Sequence, residues 1–110
     1  MSQSVEFQAE VLADSSATVI RLTGEIDAAV APSLRAALEL ASGQTRSIVV
    51  DMEQVEFIDS AGIAVLLVAA NRARIAKGGF AVRNPTEAVQ RVFNILSLNG
   101  QLPLEFASEH

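Results

Sequence analysis

The chain has 110 residues, half of them hydrophobic, a formal net charge of −5 and no cysteine. That length and apolar content suit one domain, 1–110, able to bury roughly two thirds of the surface its unfolded form exposes. The missing cysteines exclude disulfides and thiolate chemistry, and the acidic balance, without clustered Lys and Arg, argues against direct contact with nucleic acid or anionic membrane.

In chain order, Val5, Phe7, Ala9 and Val11 alternate with Glu6, Gln8 and Glu10, the period of two of a half-buried strand. Asp14-Ser15-Ser16 is a turn cluster. A second strand over 18–23, rich in β-branched residues, follows closely enough to pair antiparallel with the first. Pro32 suits the first turn of a helix over 32–42, because a proline there loses no needed hydrogen bond. Val30, Leu34, Ala37, Leu38 and Ala41 form its apolar stripe; Arg35 and Glu39 lie off it, and Gly43 stops it.

The run 47–51 has no alternation and fits a central strand covered on both faces. An acidic connector with Asp51, Glu53 and Glu56 leads to Phe57-Ile58-Asp59-Ser60-Ala61-Gly62 and a helix over 60–76. Ile63, Leu66, Leu67 and Ala70 form its main stripe, Val65 and Val68 widen it, and Lys77-Gly78-Gly79 ends it. A short strand over 80–83 follows. Asn84 as cap, Pro85 at the first position and Glu87 beyond then start a third helix. Its stripe reads as Ala88, Val92, Ile95 and Leu96, flanked by Val89 and Phe93, with Asn99-Gly100 as its end. Residues 102–106 read as a terminal strand or a packed tail.

Helices between strands imply right-handed crossovers and parallel pairing. The expected fold is α/β: a small mixed β-sheet of four to five strands with helices packed mainly on one face.

For chemistry the sequence offers little to an enzyme. Its only histidine is His110, the last residue, which removes the usual general base and metal ligand. There is no phosphate-binding loop signature, and no cofactor is called for. Asp27, Asp51 and Asp59 gathered at one sheet edge would hold a magnesium ion, but Asp27 and Asp59 precede helices, where aspartate caps free amides, and the expectation is no metal. The opening MSQSVEFQAE lacks the basic and apolar parts of a signal peptide. The longest apolar window, 61–70, is too short to cross a bilayer. The expectation is a cytoplasmic protein without membrane insertion.

Ser60 is the candidate that remains. Its plain reading is a capping or first-turn serine. Its neighbours allow another. Ala61 and Gly62 are small, so a partner's active site can approach the backbone, while Phe57 and Ile58 anchor the loop in the core. A phosphate on Ser60 would meet a helix N-terminus, which favours anions. It would also add nearly two negative charges beside Asp59, so its effect falls on a partner through repulsion and bulk.

Gly24-Glu25-Ile26-Asp27, Val49-Val50-Asp51 and the run from Phe57 to Leu66 together resemble the STAS domain of bacterial anti-sigma factor antagonists, over about residues 5–98. The resemblance implies a non-enzymatic module that captures a serine-kinase anti-sigma factor, frees the sigma factor, and is released when that kinase, using ATP bound in the partner, phosphorylates the residue matching Ser60. A phosphatase then resets the cycle. It implies that Asp27 lies close to the Ser60 loop, and that Asp27, Asp59, Ser60, Ala61, Gly62 and Ala64 form the partner-binding surface. Ala61 departs from the pattern: many members carry a second Ser or Thr there, so Ser60 is the motif's sole hydroxyl.

The exposed side of the following helix, with Asn71, Arg72 and Arg74, is a secondary docking candidate or a solvated face. An alternative role is a STAS subunit of an ABC-type lipid transport or chemosensory complex, with Ser60 serving only the helix start. A small-ligand or nucleotide site at that start is a third, disfavoured by the acidic surroundings.

Overall fold

A computed structural model describes residues 6–13, 17–43, 47–96 and 102–105. The elements run β1 (Gln8–Ala13), β2 (Thr18–Ile26), α1 (Ala31–Ser42), β3 (Ser47–Ile58), α2 (Ser60–Ile75), β4 (Gly79–Arg83), α3 (Glu87–Ile95) and β5 (Leu104–Glu105). The five strands lie in sequence order in one sheet. β1 pairs antiparallel with β2, and every later pair is parallel. This is the mixed α/β sheet expected, with the last segment resolved as a strand. The expected turn at 14–16, the Asn99-Gly100 stop, and Val5, Phe106 and His110 lie outside the described residues.

Alternation along the strands sorts the two faces of the sheet. Ile20 and Leu22 of β2, Ile48, Val50 and Met52 of β3, and Phe80 and Val82 of β4 belong to one buried cluster. All three helices pack into that same cluster, through Leu34 and Leu38, through Ile63 and Leu66, and through Val89 and Phe93. Successive right-handed crossovers in a sheet that grows in one direction deliver each helix to the same face.

On the opposite face the register aligns Glu10 with Arg21, Arg21 with Asp51 and Asp51 with Arg83. Charges alternate in sign across β1 to β4, and cross-strand neighbours of opposite sign stabilise a sheet. Arg21 and Glu10 stand 3.6 Å apart. Asp51, only 9% exposed, sits between the two arginine positions and accepts a hydrogen bond from the Glu53 amide at 3.0 Å. Its place is in this charge row. It is eight strand residues, at ~3.3 Å each, from Asp59, so the three aspartates do not gather, and no metal-competent cluster occurs among the described residues.

The acidic stretch expected as a connector is instead the second half of β3. Two register shifts against β2, between Arg21 and Thr23 and between Gly24 and Glu25, each leave an extra residue on β3. These bulges break the period of two: Met52, Val55 and Ile58 are buried at spacings of three. Gly24 takes φ 98 at the second shift, a backbone state that glycine adopts without strain.

The third helix differs from expectation in its start and its face. Thr86 is the cap: its hydroxyl accepts from the Val89 amide at 3.3 Å and donates to the Val55 carbonyl at 2.9 Å. Asn84 takes φ 53 and Pro85 is buried before the cap, outside the helix. The bond to β3 fixes the helix rotation so that Val89 and Phe93 face the core. Val92 is half-buried, whereas Ala88, Ile95 and Leu96 are exposed.

Candidate functional site

β2 and β3 run parallel and end side by side, with Ile26 opposite Ile58. Each strand is followed by an aspartate and a helix. Asp27 Oδ1 accepts from the Ala29 and Val30 amides at 3.0 and 3.3 Å, which closes the turn into α1. Asp59 is the N-cap of α2; its Oδ1 accepts from the Ala61 and Gly62 amides at 2.9 and 3.2 Å. The Asp59 amide donates to the Ile26 carbonyl at 3.0 Å, so the two connections are tied together. Asp27 directly follows that carbonyl and thus adjoins the Asp59-Ser60 loop, as the sequence implies.

Ser60 is the first residue of α2 and is exposed. The capping duty falls to Asp59, which leaves the Ser60 hydroxyl with no bond that the fold requires. Ala64, Val68 and Arg72 follow at intervals of four, all exposed, and continue the same helix face. Ala61 is half-buried beside it. Glu25 and Glu56 are exposed near the ends of the two strands that feed the site, so with Asp27 and Asp59 the formal charge around Ser60 is negative.

Gly62 points inward. A Cβ built there would lie 2.6 Å from Ile26 Cγ2 and 2.9 Å from Ile58 Cγ1. Its small size is used inside the protein, where it lets α2 close onto the strand ends. Ile58 is buried, as expected of an anchor, but Phe57 is 46% exposed. It pairs in register with Glu25 and puts an aromatic ring on the surface three residues before Ser60. Phe57 is the site residue that sequence reasoning assigned to the core; the alternation visible only in the paired strand separates it from Ile58.

The far end of α2 has the opposite charge. No acidic residue occurs between Asp59 and Glu87, whereas Arg72, Arg74 and Lys77 do. Asn71 and Arg74 are exposed and hydrogen-bonded to each other. Arg72 stands 3.8 Å from Glu39 of α1. No helix among the described residues is long and apolar enough to cross a membrane.

Comparison with known proteins places this geometry. Residues 9–105 match a family model described as "Mlab, STAS domain". An anti-sigma F factor antagonist of Lysinibacillus sphaericus is 28% identical over 96 residues, 86% of this chain and 81% of that protein. Among solved structures, an anti-sigma factor antagonist from Mycobacterium paratuberculosis is 26% identical, with a TM-score of 0.82 over 91% of this chain and 86% of that one. The anti-sigma factor antagonist SpoIIAA in its unphosphorylated form is 27% identical, with a TM-score of 0.76 over 94% and 90% of the two chains. SpoIIAA, a Bacillus cell fate determinant, is also similar in its phosphorylated form, at 27% identity and a TM-score of 0.71 over 94% and 93%. With the family model spanning all five strands and all three helices, the chain belongs to the STAS domain family.

Proposed function

We propose that the protein is an anti-sigma factor antagonist, a regulatory binding module and not an enzyme, switched by phosphorylation of Ser60. The observation that carries this reading is the exposed Ser60 hydroxyl on the first turn of a helix already capped by Asp59. It is supported by similarity to antagonists, one of them solved both with and without phosphate.

Unmodified, the surface formed by Asp27, Asp59, Ser60, Ala61 and Ala64, with Phe57 beside it and Gly62 holding it from beneath, docks on a serine-kinase anti-sigma factor. The kinase transfers the γ-phosphoryl group of its own bound ATP to Ser60 Oγ; the hydroxyl proton is lost and ADP leaves. The phosphate meets the positive end of α2, so the helix tolerates it. Two of the nearest amides are already held by Asp59, so the new charge is only partly offset. Beside Asp27, Asp59 and the strand glutamates it repels the partner, and the complex separates. A phosphatase restores the hydroxyl.

The test uses the cognate kinase, ATP and two variants. Ser60→Ala keeps its circular dichroism spectrum and loses labelling, while Ser60→Asp binds the partner at least tenfold more weakly. Labelling of Ser60→Ala at the wild-type level would remove the site assignment. Partner binding indifferent to Ser60→Asp would remove the charge mechanism and favour the transport or chemosensory subunit.

A further inference from the structure

Helices α1 and α2 pack side by side over β3 and leave a groove of about 870 Å³ along their seam. Beneath it Leu38 of α1, Ile48 of β3 and Val65 of α2 belong to the buried core. The volume lies in the range of small-molecule sites, roughly 300–1,000 Å³. Alanines of α2 make up much of one wall, so no long side chain fills the space.

Arg35 on α1 and Arg72 on α2 line opposite walls, both exposed. The one acidic group on the lining, Glu39, is 3.8 Å from Arg72, a long and exposed pair that water screens and a better-placed anion would replace. The α2 wall itself carries positive charge only. In a protein of net charge −5, an apolar cleft rimmed by two arginines selects an anion with an apolar tail.

We propose that the α1–α2 cleft binds a free single-chain anionic amphiphile, a fatty acid or alkyl phosphate. The chain lies along Val68, Ala69 and Ala73 of α2, above the buried Leu38, Ile48 and Val65, and the head group sits between Arg35 and Arg72, taking Arg72 from Glu39. This goes beyond the partner-switch reading: the groove borders the Ser60 surface at Ala61 and Ala64, and Arg72 lies one face-length along the same helix, but the head-group contacts are made at the far end of α2.

The experiment is calorimetric titration of the full chain with laurate and with dodecyl phosphate, both below their micelle-forming concentrations. The comparison ligands are dodecanol and vesicles of phosphatidylglycerol. Laurate is expected to bind at one per chain. Arg35→Gln and Arg72→Gln each weaken it by roughly tenfold. Ala73→Leu, which puts a larger side chain into the cleft, abolishes it. Val68→Glu, at an exposed rim position that the fold does not need, weakens it in a protein of unchanged melting temperature. The proposal fails if laurate shows no saturable binding or if it binds no better than dodecanol. It fails equally if Val68→Glu and both arginine variants bind like wild type, or if only the vesicles bind.

Discussion

Helix α2 begins where the Asp59 carboxylate takes two amide protons and Gly62 sits against Ile26 and Ile58. It ends at Ile75, among Arg72, Arg74 and Lys77, beside a cleft that no side chain fills. Both ends suit the helix dipole, with negative charge at the N-cap, Asp59, and positive charge in the last turn, Arg72 and Arg74. Their mechanics differ. The N-terminal end is locked to two strand ends by packing and by the Asp59–Ile26 backbone bond, and only Ser60 is left exposed on top. The C-terminal end packs on the core through small side chains, Ala69, Ala70 and Ala73, and closes on its own backbone, with one long ion pair to α1. A mount tied to two strand ends suits a hydroxyl that another protein must find in a fixed place; a basic end packed through alanines leaves room beside it for a ligand.

The largest effect is expected where the lock is tightest. Gly62→Ala adds a methyl group at 2.6 Å from Ile26 Cγ2, closer than real side chains approach. Overpacking of this kind costs ~1–3 kcal/mol. The better helix propensity of alanine returns ~1 kcal/mol of it. A net loss of up to about 2 kcal/mol in urea denaturation is expected, together with slower phosphorylation of Ser60 because its mount has moved. A variant as stable as wild type would mean that Ile26 and Ile58 yield freely and that the N-terminal end is not locked.

A smaller loss separates the cap from its charge. Asp59→Ala leaves the Ala61 and Gly62 amides without their acceptor and is expected to cost about 1 kcal/mol. Asp59→Asn keeps an oxygen in the same place and is expected to stay within ~0.5 kcal/mol of wild type. If partner affinity falls for both variants, Asp59 serves the partner through its charge. If it falls for alanine alone, Asp59 serves through the position of the loop. Equal stability of all three proteins would show that the cap contributes nothing and that packing alone holds this end.

How much of this was legible in the sequence depended on whether the signal is local. Capping aspartates, Ser60 at the helix start and the apolar stripe of α1 are written within a few residues, and the structure has them there; β2, expected over 18–23, runs on to Ile26 because Gly24 bends at a bulge without ending the pairing. The second half of β3 was hidden because its bulges are defined only against β2. The face of α3 was hidden because apolar residues occur on more than one side of it, and a threonine bond to the Val55 carbonyl chooses between them. Phe57 read as core because its exposure is set by pairing with Glu25. The cleft belongs to no segment: it is the distance between two helices.

The smallest expected effect has the opposite sign and lies at the C-terminal end. Lys77 holds φ 60, and the next residue, Gly78, donates its amide to the Ala73 carbonyl at 2.8 Å to close the helix. A left-handed conformation costs a residue with a Cβ ~1–2 kcal/mol, and glycine adopts it without that strain. Lys77→Gly removes the strain but adds ~0.5–1 kcal/mol of unfolded-state entropy, so a gain of about 0.5 kcal/mol in urea denaturation is expected. Loss of the lysine charge near the negative end of the dipole subtracts a few tenths of this in low salt and almost nothing in high salt, where the dipole is screened. The gain should therefore grow as salt is added. A destabilised Lys77→Gly protein at every salt concentration would mean that the lysine side chain, and not the backbone, fastens this end, and the contrast between a packed start and a backbone-closed finish would be lost.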